Sequence, residues 1–268
     1  GLARAENLGI VRAAIEDLGT EQSKLRLYGH VNVVAENNVA IISVAGTVGV
    51  AQTVGVSVAG SVSLVNIALE ESATIARSYL DMDAADPSTK DLNVSAKQNV
   101  FFVSVAGAVA WGGQAGFGIA VAYTTHAGSV NATVLSSHVD DANNIKVVAE
   151  SITDSYMVGF GLGNASAVTI AGSATVLRNE QLSMASVVSS ELNAAGDVDV
   201  ISNITSSSLM VAGGVARAGR LAVGAAVGTQ VVSADGTTGG SIALIDGSIV
   251  TAGGNISVGA TSTFKLLN

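Results

Sequence analysis

A short motif returns along this chain at near-constant spacing, and that repetition limits the possible folds more than any other feature. It occurs as Val31-Asn32-Val33-Val34-Ala35, Leu92-Asn93-Val94-Ser95-Ala96, Ile145-Lys146-Val147-Val148-Ala149, Val198-Asp199-Val200-Ile201-Ser202 and Ile256-Ser257-Val258-Gly259-Ala260, at spacings of 61, 53, 53 and 58 residues. Upstream of the last four copies lies a second motif, Ala-x-[Ile/Val]-x-x-Ser-x-[Leu/Val]. Its four copies place Ala at Ala73, Ala132, Ala185 and Ala243, and Ser at Ser78, Ser137, Ser190 and Ser248. The unit is about 53 residues long, which predicts stacked copies of one supersecondary element. The longer units carry extra residues at 83–90, with the only Pro, and at 234–240, and both insertions read as loops leaving one corner of a regular coil. The fifth copy breaks off at Asn268, so the chain reads as a piece cut from a longer array, with further repeats expected.

Both motifs alternate with period 2, as half-exposed strands do: Val31, Val33 and Ala35 point one way, Asn32 and Glu36 the other. Short Asn/Gly/Asp turns such as Asp141-Ala142-Asn143-Asn144 join the second motif to the first. Between the motifs run long stretches without Asp, Glu, Lys or Arg, namely 37–69 and 98–139. There, large and small residues alternate: Ile119, Val121 and Tyr123 against Gly118, Ala120 and Ala122. Neither side offers water a polar face, so both faces are expected to be covered, with bulky residues filling the interior and the Gly/Ala face allowing close approach of a second sheet. The stretches exceed the roughly 20 residues of a membrane-spanning helix, but they keep period 2 and lack flanking Lys/Arg anchors. Four Tyr and one Trp do not supply the aromatic girdles of a membrane barrel. An integral membrane segment is therefore not expected.

What remains is an all-β solenoid, a parallel β-helix of about four repeats over 28–268, starting near 31, 92, 145 and 198 with a partial fifth from 256. At roughly 18 to 27 residues per coil, each unit is expected to supply two or three coils. In residues 1–27, Leu2, Ala5, Leu8, Val11, Ile15 and Leu18 have near-helical spacing and point to a short helix, with a degenerate coil as the alternative.

Segments such as 103–110 (Val-Ser-Val-Ala-Gly-Ala-Val-Ala) and 248–258 (Ser-Ile-Val-Thr-Ala-Gly-Gly-Asn-Ile-Ser-Val) resemble the repeats of very large bacterial surface exoproteins. These are the filamentous-haemagglutinin-like adhesins, β-helical autotransporter passengers and fusobacterial leukotoxin-like repeats. The resemblance covers roughly 28–268 and implies a right-handed parallel β-helix, type V secretion, display on a bacterial cell surface and a role in virulence. It carries over no catalytic residue.

Composition bounds the function. Charged residues are 12% of the chain, about half the usual share, and apolar residues are 49% with no Cys. A disordered tail, a collagen-like chain and a disulfide framework are excluded. The net charge of −9 excludes nucleic acid as a partner. His30, His126 and His138 have no companion at metal-ligand spacing. Asp81, Asp83, Asp86 and Asp91 are the only acidic constellation able to hold Ca²⁺, without the calcium-loop signatures. No Gly-x-Ser-x-Gly elbow or phosphate loop is present, and no cofactor is implied. The sequence thus points to a non-catalytic, extracellular stalk or fibre segment serving adhesion, which reaches a host surface or glycan by converting chain length into extension. One alternative is a filament subunit that self-associates through its Gly/Ala faces, and another is a polysaccharide-active β-helix enzyme.

Overall fold

In the computed structural model the chain is a right-handed parallel β-solenoid, described for residues 1–19, 25–82, 90–233 and 239–267. Its strands follow one another in repeating triplets. The first are β1 (Leu2–Glu16), β2 (Leu25–Arg26) and β3 (Val31–Val50), then β4 (Val56–Ala76), β5 (Tyr79–Asp81) and β6 (Leu92–Gly112). The next are β7 (Ala115–Leu135), β8 (His138–Ala142), β9 (Ile145–Ala165), β10 (Val168–Val188), β11 (Glu191–Ala194) and β12 (Val198–Ala218). Last come β13 (Leu221–Ser233), β14 (Gly240–Asp246), β15 (Ile249–Ala252) and β16 (Ile256–Leu267).

Three parallel sheets result. The front sheet runs β16-β12-β9-β6-β3, the back sheet β1-β4-β7-β10-β13 with β14 also on β10, and a short sheet β15-β11-β8-β5-β2 closes one end. We call that closed end the hub. At the other end, the tip, each front strand turns directly into the next back strand. The register sets repeat upon repeat: Val31, Leu92, Ile145, Val198 and Ile256 lie in one column, as do Ala73, Ala132, Ala185 and Ala243.

Two expectations are corrected here. Each 53-residue unit forms one coil rather than two or three, because strands of 21 residues take up nearly the whole unit. Residues 2–16 form no helix but strand β1, paired in register with β4. Tertiary pairing overrides their near-helical spacing, since β1 lines the same core positions as its neighbours. The cross-section is a flat blade, its broad faces roughly 70 Å wide at ~3.3 Å per residue and rising only ~4.8 Å per coil. The insertion at 83–89 and most of that at 234–240 lie outside the described residues.

Inward and outward positions keep one parity along each long strand, but the chemistry of each parity changes halfway. Near the hub the inner side carries Val94, Ala96, Ala132, Val134, Leu80 and Leu92, all fully buried. Towards the tip it carries Ala106, Ala108, Ala110, Ala120 and Ala122. In the tip half small residues fill the interior and bulky ones face outward, the reverse of the arrangement expected from sequence. Gly118 and Gly161 show why: a Cβ on either would lie 2.3 Å from a backbone oxygen of the opposing sheet, Leu162 and Gly172 respectively. The close sheet approach anticipated for a Gly/Ala face does occur, within one chain, and the outer bulky face is left open.

Candidate functional site

Polar side chains cluster at the two hub corners and at a buried waist, and their geometry decides what each can do. At the corner from back to short sheet, Asp17, Arg77, Ser136, Ser189 and Gly247 adopt left-handed backbone, with φ between 47° and 55°. The motif serines that follow satisfy this sharp bend. Ser137 Oγ donates to Leu135 O (2.8 Å) and accepts the N–H of Ser78 (3.2 Å); Ser190 Oγ donates to Val188 O and accepts the N–H of Ser137 (3.1 Å). The fixed Ser of the second motif is thus a rung linking successive coils.

A second ladder runs down the corner from short to front sheet. Asp91 Oδ1 accepts the N–H and side-chain amide of Asn144 (3.1 and 2.9 Å), Asn144 Oδ1 accepts the N–H of Asp197 (2.9 Å), and Asp197 Oδ1 that of Asn255 (2.7 Å). Burial pushes the Asp91 carboxyl up, but the bonds from Asn144 and Asn143 outweigh it and hold its pKa below the ordinary value. Of the four acidic residues singled out in the sequence, Asp91 is therefore a structural rung. Asp81 lies 3.9 Å from Arg26, and Asp83 and Asp86 fall outside the described residues. No group of three or more His, Asp or Glu is placed to hold a metal ion among the described residues.

The short sheet presents Tyr79, His138, Glu191 and Ile249 in one outward column, as repeat alignment predicts. Tyr79 stacks on His138 with ring centroids 4.2 Å apart. His138 Nε2 is 2.8 Å from Asp140, and Nδ1 is 3.1 Å from Glu191. With a carboxylate on each ring nitrogen, His138 has none to offer a serine hydroxyl, and neighbouring Ser137 is engaged in its ladder. This arrangement cannot activate a nucleophile by the Ser-His-Asp route.

Across the blade's interior a polar waist separates two apolar clusters. Glu71, fully buried on β4, accepts from Asn37 Nδ2 (2.8 Å) and Gln98 Nε2 (2.7 Å). Gln98 Oε1 accepts from Ser151, whose Oγ accepts from Gln181, and Gln181 also meets His126 Nδ1 at 3.3 Å. A Cβ at Gly128 would clash with the Gln98 amide, so that glycine makes the room. Burial pushes Glu71 up and lowers His126 to about 4. No motif marks this waist in the sequence. Its signal was present in parity: Gln98, His126 and Gln181 occupy the same inward phase as Val94, Val130 and Ala185.

The surface left unengaged is apolar. On the tip half of the front sheet the outward residues include Ile42, Val44, Phe101, Trp111, Tyr156 and Phe160. Gly46 and Gly107 line an open trough of about 270 Å³ beside the Phe160 ring. The back sheet's tip half carries Val58, Ile119, Tyr123 and Ile170 likewise. Comparison with protein-family models, with curated proteins and with solved structures finds no match in any of the three.

Proposed function

We propose that this chain is a non-catalytic structural segment of a large, secreted or surface-displayed bacterial repeat protein, serving adhesion through its broad faces. One observation carries the reading: at the corners and the waist Ser137, Asp91, Asn144, His138, Glu71 and Gln98 are tied into hydrogen bonds or ion pairs, most of them from coil to coil. What the blade offers its surroundings is sheet area. That differs from the reach expected of a stalk, because 53 residues advance the stack only ~4.8 Å. The lack of Cys supports a setting outside thiol-handling compartments. Packing between copies through Gly/Ala faces is not retained, since those faces are occupied by each other.

The test is adherence. Beads coated with the purified chain are expected to be retained on epithelial cells or immobilised glycans beyond albumin-coated beads. Equal retention, or release of reducing ends from the glycans, would overturn the reading.

A further inference from the structure

The tip half of the front sheet has the size, chemistry and charge placement of an interface, and we infer that it packs against the same face of a second copy of this chain. Four strands, β3, β6, β9 and β12, each run about eleven residues there with alternate side chains outward, or about 700 Å² of face per copy at ordinary strand spacings. Two such faces bury about 1,400 Å², within the range of stable specific interfaces. The face is contiguous and apolar, with Trp111 58% and Val44 62% exposed, more than a monomer ordinarily leaves to water.

Charge placement selects the orientation. The outward positions on these four strands hold two charged residues, Asp154 at the waist end and Arg217 at the tip end on the adjacent strand, and Lys265 of β16 stands in the Asp154 row on the far side of Ser207. In a two-fold pair with the axis along the stacking direction, strands of the two copies run antiparallel. Waist end then meets tip end, so Asp154 of each copy lies beside Arg217 of the other. The same operation brings Trp111 of one copy onto Phe101 of the other, and it carries the charged hub halves to opposite sides. An isologous contact with two charge pairs and two aromatic pairs results. Hydrocarbon of a bilayer suits the face less well, because it would leave Asp154 and Arg217 in an apolar medium without a partner.

Sedimentation velocity across a concentration series tests the pairing, with melting temperature confirming that each variant folds. The wild-type chain is expected to dimerise. Asp154→Arg should weaken association roughly tenfold by surrounding the other copy's Arg217 with like charge, Lys265 included, and adding Arg217→Asp should restore it. Val158→Glu at the centre should abolish the dimer, whereas Val58→Glu on the back sheet should not. A monomer at all concentrations overturns the inference, as does dimerisation sensitive to Val58→Glu or indifferent to Asp154→Arg. A monomer that floats with phosphatidylcholine vesicles assigns the face to lipid instead. None of these outcomes depends on adherence, so this inference and the adhesive role fail separately.

Discussion

The ring of Phe160 lies across the α-carbon of Gly107 on the neighbouring strand, so close that a methyl group added there would come to 2.5 Å from its Cζ. Both residues face outward, so the ring can swing away. Gly118 is the inward counterpart, its α-carbon facing the backbone of Leu162 across the interior. Gly107→Ala is therefore expected to change stability by less than about 1 kcal/mol, since added strand propensity offsets the displaced ring. Gly118→Ala should cost about 2 kcal/mol or more, because backbone must move. Urea unfolding distinguishes the two, and equal effects would contradict the assignment of inner and outer faces.

The corner ladders predict a different pattern. Ser137→Ala removes the acceptor for Ser78 N–H, a buried group with nothing to replace it, at a cost of about 1–3 kcal/mol. Asn144→Ala strips the acceptor from Asp197 N–H and the side-chain amide donor from Asp91, and should cost as much. Asn144→Asp keeps an acceptor for Asp197 but sets a carboxylate oxygen where the amide nitrogen lay 2.9 Å from Asp91 Oδ1, so at pH 7 it should recover none of the loss. Thermal melts of the three variants test this order.

His126 makes stability depend on acidity. Its folded-state pKa of about 4 lies below its ordinary value of 6.5, so the unfolded chain takes up the proton first. The contribution is complete above about pH 6.5 and is lost as pH falls towards 4, by on the order of 3 kcal/mol. His126→Gln should flatten the profile across that window. Unfolding midpoints between pH 7 and 4 that fall equally in both proteins would show that His126 is not the group responsible.

Glu71 acts in the opposite sense. Burial raises its folded-state value above the ordinary 4.5, against the bonds from Asn37 and Gln98, so its cost appears as pH rises through that window. Glu71→Gln removes the charge, and a flip of the Gln98 amide keeps the waist hydrogen-bonded. The variant should melt higher than wild type at pH 7, with the difference vanishing near pH 4. A lower melting temperature at pH 7 would mean that the ionised carboxylate stabilises the waist.

Much of the fold is legible in local sequence. The repeat period fixed which residues share a column, and Val31, Leu92, Ile145, Val198 and Ile256 do stack. Period-2 alternation puts Val31, Val33 and Ala35 on one side, because beside them Asn32 and Glu36 plainly belong to water. The ladders were half visible: Ser137 and Asn144 recur at corner positions, but their partners lie one coil away, and no single unit reveals which N–H they satisfy. The acidic residues were grouped by nearness in sequence, whereas Asp91 belongs to Asn144, 53 residues on.

Sequence alone determined that these strands have two unlike faces, at what period they recur, and where the chain bends. Only the tertiary structure decided which face of the tip half is inside. Alternation of Gly118, Ala120 and Ala122 with Phe117, Ile119 and Val121 is compatible with either choice, because neither side is polar. The choice is made by the distance between two sheets. Long strands joined at the tip by short turns, two residues in three of the four, bring front and back sheets within reach of each other's carbonyls, leaving space for hydrogen or methyl side chains and turning the bulky ones outward.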